Sequence, residues 1–314
     1  MIKLGGIGEL VLAFPAFERI RMAHPKAKIT LLTTQPFEAL TKTSPFFNAI
    51  ETDGRPTSPG GWLSLIGRLR GARYDRVYDL QNDAGSGLIF QGLRPFAPEW
   101  SGTAPGSALP HRNRERERMH PLERHADQLR QAGVWPDAPT RPLSAPPPDL
   151  SWILARSPQP RSMSSAAGQR PLVLVSPGAG KPEARWPIDR YAALAKQLQD
   201  AGFDIVVIGT LQESPLAHAI QRQAPRARDL TGRTDFAQIA ALAARAALAI
   251  GNDTGVLHLI AAAGAPTIAL FSGASDPAVK GPRGHVTVLH SPALKDLPVD
   301  TVAHAALALA GQPA

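Results

Sequence analysis

Hydrophobic and polar positions alternate along this chain in two separate series of short runs. MIKL, at the start, is a brief apolar run that enters a GGIGE loop. Residues 10–25, LVLAFPAFERIRMAHP, then space apolar residues as a helix does, with Pro25 as the stop signal. KITLLTT (28–34) reads as a buried strand, LSLIGRLRGARYD (63–75) as a helix and RVYDLQ (76–81) as a further strand. The series restarts with PLVLVSPGAG (171–180), a strand entering a glycine turn, followed by the helix DRYAALAKQLQDAG, which ends at Gly202. FDIVVIG, AALAIG and PTIALF read as strands, and FAQIAALAARA and GVLHLIAAAGA as helices between them.

Strand–helix alternation favours parallel sheets covered on both faces, because a parallel crossover carries a helix back over the sheet. The expected fold class is therefore α/β, as two Rossmann-like domains facing a cleft, with ligands beyond the C-terminal ends of the strands. Proline and serine dominate residues 135–170, apart from a short possible helix around LSWILAR. This places an N-terminal domain over 1–150, a linker over 151–170 and a C-terminal domain over 171–314. Residues 111–130, HRNRERERMHPLERHADQLR, mix both charge signs and read mostly as a solvated helix face.

Composition narrows the function classes. The chain has 314 residues, 43% hydrophobic and 19% charged, in the range of globular proteins. No apolar run approaches the roughly 18–20 residues that span a bilayer, and the glycines after MIKL interrupt any signal-peptide core. Cysteine is absent, which excludes disulfides, thiolate catalysis and cysteine-based zinc sites. A cytoplasmic location is the expectation. The net charge of +8 suits anionic partners such as nucleotides, phosphorylated glycolipids or a membrane surface. No nucleic-acid reader motif accompanies it, so no nucleic-acid partner is expected.

Three post-strand loops hold the candidate chemistry. In KLGGIGE (3–9), Gly6-Ile7-Gly8 begins a dinucleotide fingerprint, but Val11 stands at its third glycine position, against a nicotinamide site. Glu9 there reads either as a carboxylate complementing a helix dipole or as a general base at the cleft. SPGAGKPEARWP (176–187) combines a glycine turn at Gly180 with Lys181 and Arg185, cations suited to a diphosphate leaving group. The other reading puts Arg185 on the surface and Trp186 in the packing. It is no Walker loop, since no G-K-[ST] follows. In GNDTGVLH (251–258), the N–H groups of Thr254, Gly255 and Val256 can meet a phosphate at a helix start. Asp253 reads as a sugar-hydroxyl acceptor or as an N-cap, and His258 as a neighbour of the ligand or a packing residue.

These motifs stand in one order: KLGGIGELVLAFPAFERIR, YDRVYDLQNDAGSG, VSPGAGKPEARWPIDRYAALAKQL and DLTGRTDFAQIAALAARAALAIGNDTGVLHLIAAAGAPTIALFSGASDP. Together they resemble the heptosyltransferase-like glycosyltransferases of glycosyltransferase family 9, along nearly the whole chain. The resemblance implies the GT-B fold, with acceptor bound by the N-terminal domain and donor by the C-terminal one. It implies an inverting, metal-independent transfer of heptose from ADP-heptose to a lipopolysaccharide core, at the cytoplasmic face of the inner membrane. No cofactor beyond the nucleotide-sugar substrate is implied. By position, Glu9 matches the family's base, usually aspartate. Asp253, Thr254, Gly255, Val256 and His258 match the segment for sugar and diphosphate, Glu213 a ribose-binding carboxylate, and Arg233 and Thr234 the adenine pocket. Ala184 stands where the family has a phosphate-binding lysine, which leaves that charge to Lys181 or Arg185.

Overall fold

The computed structural model describes residues 1–136, 145–153 and 170–311. The chain divides into two compact units, Met1–Pro148 and Asp149–Ala314. Most of the expected linker, and the second half of the LSWILAR stretch (154–156), lie outside the described residues. At the near edge, Leu150 is fully buried and its N–H donates to the Ala262 carbonyl at 3.0 Å. Residues 149 and 150, expected at the end of the first domain, therefore pack with the second unit.

In the first unit, β1 (Thr30–Leu32) pairs in parallel with β2 (Ala49–Glu51), and β3 (Arg76–Tyr78), β4 (Glu99–Gly102) and β5 (Leu109–Pro110) pair in parallel in that order. The short apolar start of the chain joins the two groups, because Ile2 makes parallel bridges to both Leu32 and Asp79. Ile2 and Leu4 pack with Leu32, Val77, Ile89, Phe90 and Trp100 in one buried cluster. The loop after this central segment starts the helix Ile7–Val11, and the loop after β3 starts the helix Ala84–Leu93. Asp83 and Ser86 close the latter with a reciprocal capping box, which satisfies two otherwise free backbone N–H groups.

The mixed-charge stretch departs from its expected solvated face. Only Pro121–Gln131 is α-helical there, and Leu122, Ala126 and Leu129, at positions i, i+4 and i+7, are buried. Three polar residues go in with them because each finds partners. Gln128 Nε2 donates to the Asp79 carbonyl at 2.9 Å, and the Asp127 carboxylate accepts from His111 and Asn113 at 2.9 Å and Arg130 at 2.8 Å. His125 Nδ1 lies 3.3 Å from the Leu12 carbonyl. Of the arginines before the helix, Arg116 pairs with Glu117 and Arg118 with Glu115, so the stretch presents less free positive charge than its composition suggests.

The second unit holds one six-stranded, fully parallel sheet: β6 (Leu172–Ser176), β7 (Asp204–Val207), β8 (Arg228–Asp229), β9 (Leu248–Asn252), β10 (Thr267–Ser272) and β11 (Val286–Ser291). Their order across the sheet is β11-β10-β9-β6-β7-β8. The chain thus winds outward from β6 to one edge, crosses back, and winds to the other edge from β9. The crevice between β6 and β9 is the topological switch point, where ligands bind in open α/β sheets. Helices cover the sheet because their apolar stripes face it. Tyr191, Leu194, Ala195 and Leu198 of Ile188–Asp200 are buried, and Gly202, at φ +92°, makes the left-handed turn out of that helix.

Candidate functional site

The two loops richest in candidate residues leave the sheet side by side, since Ser176 at the end of β6 pairs with Gly251 of β9. Asn252 joins them. Fully buried, it donates from Nδ2 to the carbonyls of Pro177 (2.9 Å) and Gly178 (3.0 Å) and accepts at Oδ1 from the Trp186 N–H (3.0 Å). One side chain thereby fixes both ends of the 177–186 loop against the start of the 253–258 segment. Trp186 is itself anchored, with its indole N–H donating to the Leu297 carbonyl at 3.0 Å and its ring edge-on to Tyr191.

Within that loop, Gly180 and Lys181 are exposed, and Lys181 precedes a single 3₁₀ turn, Pro182–Ala184. Arg185 is not a surface residue: it is partly buried, and its Nε is buried with no hydrogen-bond partner among the described residues. A buried guanidinium donor without a partner is costly, and an anion in the crevice would satisfy it. The nearby Tyr191 hydroxyl is also buried, and burial raises its pKa above the ordinary tyrosine range, so it stays neutral.

The loop after β7 reaches the same edge. Glu213 Oε2 accepts from the Thr210 N–H (2.6 Å) and hydroxyl (3.1 Å), a capping box. A Cβ built on Gly178 would stand 1.4 Å from Glu213 Oε1, and one on Gly209 2.5 Å from Oε2. The carboxylate therefore lies across two glycines and against the loop that Asn252 holds. Beyond β8, Gly232 (φ +67°) turns the chain so that its N–H donates to the Gly209 carbonyl at 2.9 Å, bringing Arg233 and Thr234 to this side. The Thr234 hydroxyl is buried and has no partner among the described residues.

After β9, the helix Gly255–Ala262 begins with Thr254 as N-cap, and no side chain caps it. The N-cap reading of Asp253 therefore fails: its Oδ2 accepts from the Ser275 hydroxyl at 2.6 Å instead, which ties it to the loop after β10. Residues 253–256 are partly exposed, so the start of the helix, where its dipole is positive, is open to solvent. The Thr254 hydroxyl is buried and without a partner among the described residues. His258, the fourth residue of this helix, is 8% exposed at the base of its first turn.

In the first unit, Glu9 stands in the first turn of Ile7–Val11 with its side chain 49% exposed. Its Oε2 accepts from Lys3 Nζ at 3.0 Å, a lysine that is 1% exposed. Burial lowers the Lys3 pKa, and the Glu9 charge opposes that shift. Gln81 Oε1 accepts from the Leu4 N–H at 2.9 Å, and Asp83 accepts from Arg55 at 2.7 Å on the same edge. Asp79, just beyond β3, has its pKa pushed up to about 6 by burial, against the hydrogen bonds from the Asn82 and Gln81 N–H groups. Among the described residues no group of three His, Asp or Glu is arranged to hold a metal ion. No described helix is long and apolar enough to cross a membrane.

The structure thus gathers Gly180, Lys181, Arg185, Glu213, Arg233, Thr234 and 253–256 on the C-terminal edge of one sheet, and holds Glu9 on the other unit. Sequence reading missed Asn252, Ser275 and Lys3. Asn252 stood in the GNDTG stretch as an unremarked turn residue, and Lys3 as a charge at the end of an apolar run.

Comparison with known proteins gives this geometry its family. The chain is 28% identical over 294 residues to lipopolysaccharide heptosyltransferase 2 of Escherichia coli K12, covering 89% of this chain and 83% of that relative. It is 24% identical over 281 residues to lipooligosaccharide heptosyltransferase 2 of Haemophilus influenzae, covering 84% and 80%. It shares its α/β GT-B fold with the structure of E. coli ADP-heptose lps heptosyltransferase II, at a TM-score of 0.80 and 24% identity over 98% of both chains. A glycosyl transferase family 9 structure from Veillonella parvula superimposes with a TM-score of 0.83 at 20% identity, over 98% of this chain and 95% of that one. Residues 62–298 match the model of glycosyltransferase family 9 (heptosyltransferase), and with parallel sheets that carry its motifs at their C-terminal ends, the chain belongs to this glycosyltransferase family.

Proposed function

We propose that this chain is a heptosyltransferase of lipopolysaccharide core synthesis, inverting and metal-independent, with ADP-heptose as donor. The second unit binds the donor and the first the acceptor, in the cytoplasm and at the inner-membrane surface. The observation that carries the reading is the pairing of an uncapped, solvent-open helix start at Gly255 with the buried, unpartnered Nε of Arg185, on loops joined by Asn252. Together they form a preorganised anion site at a switch point. A fold relative, E. coli heptosyltransferase WaaC, has been solved with ADP.

The reaction is a single displacement. Glu9 takes the proton of an acceptor hydroxyl as that oxygen bonds to the anomeric carbon, and the bond from that carbon to the diphosphate breaks on the opposite face. Arg185, Lys181 and the first-turn N–H groups stabilise the charge gathering on departing ADP, which is the work a metal ion does elsewhere. Asp253, steadied by Ser275, accepts from the sugar hydroxyls.

Calorimetric titration of ADP, UDP, GDP and NAD in EDTA, against wild type and Asp253→Ala, tests the donor site. Selective ADP binding supports the reading, as does EDTA-resistant heptose transfer to heptose-deficient lipopolysaccharide. Preference for UDP or GDP overturns the donor assignment.

A further inference from the structure

Lys3 has no part in the displacement above, yet it is the most deeply placed cation near it. An ammonium in an apolar core is stable only when paired and hydrogen-bonded. Its Nζ donates to Glu9 Oε2 at 3.0 Å and to the Leu80 carbonyl, just beyond β3, at 3.2 Å. Lys3 is 1% exposed and Glu9 49%, so the pair runs from the interior of the first unit to its surface. The carboxylate also fills the space beside Gly5, where a Cβ would stand 2.0 Å from Oε2.

We propose that Lys3 is the positioning residue of the base: anchored on Leu80, it pins one oxygen of Glu9 over Gly5 and leaves the other for the acceptor hydroxyl. This rests on Glu9 being the base. A glutamate has one more rotatable bond than the aspartate usual at this position, and a freely turning carboxylate would spend most of its time misdirected. A partner fixed to the backbone removes that freedom before substrate arrives. Gly5 completes the seat, since any side chain there would occupy it. The titratable groups that face Lys3 are Glu9, Asp79 beyond β3, and, on the helix Pro121–Gln131, Arg124 and His125, the last kept neutral by burial.

The test is Lys3→Met, which keeps the apolar stem and removes the ammonium, beside Gly5→Ala, which displaces the carboxylate and leaves Lys3 intact. Both are assayed with ADP-heptose and heptose-deficient lipopolysaccharide. Each variant is expected to lose about 30- to 100-fold in kcat while KM for ADP-heptose stays within about twofold of wild type. A crystal structure of Lys3→Met is expected to show the Glu9 carboxylate away from Gly5. Wild-type kcat in folded Lys3→Met, or a carboxylate still seated over Gly5 in that variant, overturns the proposal. Should Lys3→Met not fold, Gly5→Ala decides alone, and wild-type kcat there overturns it. Full turnover in Glu9→Gln overturns the base assignment itself, whereas inactive Glu9→Gln beside fully active Lys3→Met overturns only the positioning role.

Discussion

Asn252 Oδ1 accepts a hydrogen bond from the Trp186 N–H at 3.0 Å, across 66 residues of sequence. Through it the strand ending in GN holds the loop that carries the candidate phosphate-binding cations. Asn252→Ala leaves the Trp186 N–H and the Pro177 and Gly178 carbonyls short of a buried partner. The expected loss is about 3 kcal/mol of stability, read from urea unfolding, together with weaker ADP binding. Asn252→Asp keeps the acceptor but turns a carboxylate oxygen towards two carbonyls, and is expected to be no better than alanine.

If Arg185 and Lys181 share the charge of the departing diphosphate between them, as proposed, their burial ranks them. Removing the partly buried Arg185 as Arg185→Ala is expected to lower kcat by about 100-fold, the usual effect of deleting one donor to a developing anion. Lys181, exposed and screened by solvent, is expected to cost about tenfold or less in Lys181→Ala. Steady-state kinetics on both variants checks the order, and the reverse ranking would assign the leaving-group role to Lys181.

Glu213 accepts from Thr210 through Oε2 and presses Oε1 against Gly178. If it holds the ribose, Glu213→Gln weakens ADP binding by about tenfold and leaves inorganic diphosphate unaffected. Equal weakening of both ligands, measured by calorimetry, would instead mean that Glu213 acts through the loop beside it.

Asp79 makes stability depend on pH. Burial raises its pKa from the ordinary 3.8 to about 6, so the folded state holds this proton more tightly than the unfolded chain. The contribution is fully present below about pH 4 and is lost as the pH rises through about 6, by up to roughly 3 kcal/mol. Asp79→Asn, which keeps an acceptor oxygen for the Gln81 and Asn82 N–H groups, is expected to remove this slope. Chemical unfolding of both proteins from pH 4 to pH 8 measures it; an unchanged slope would assign it to another group.

The α/β class was legible in the sequence, because burial imposes a period and a period is a local property. PLVLVS, FDIVVIG, AALAIG and PTIALF each read as a strand between helical runs and each overlaps an observed one, and Gly202 marked a helix end by its own conformational freedom. The stretch 111–130 misled for the complementary reason: the charge of a residue is local, but its partner is not. His111 and Asn113 reach Asp127 only after the fold has brought them together, and only that pairing lets a carboxylate be buried.

By itself, then, the sequence determined the longer buried strands and the helices between them, though not β2, β4, β5, β8 or β11, together with the glycine turns at their ends and the residue types able to meet a diphosphate, all of which follow from spacing within a few residues. The tertiary structure decided which of these residues meet. The parallel order β9-β6-β7 set Gly178 between Asn252 and Glu213, the turn after β10 gave Asp253 to Ser275 rather than to its helix, and the chain start, enclosed between β1 and β3, set Lys3 against Glu9. Each is a contact whose energy depends on distance in space and on exclusion of water. Neither quantity exists until the sheets form.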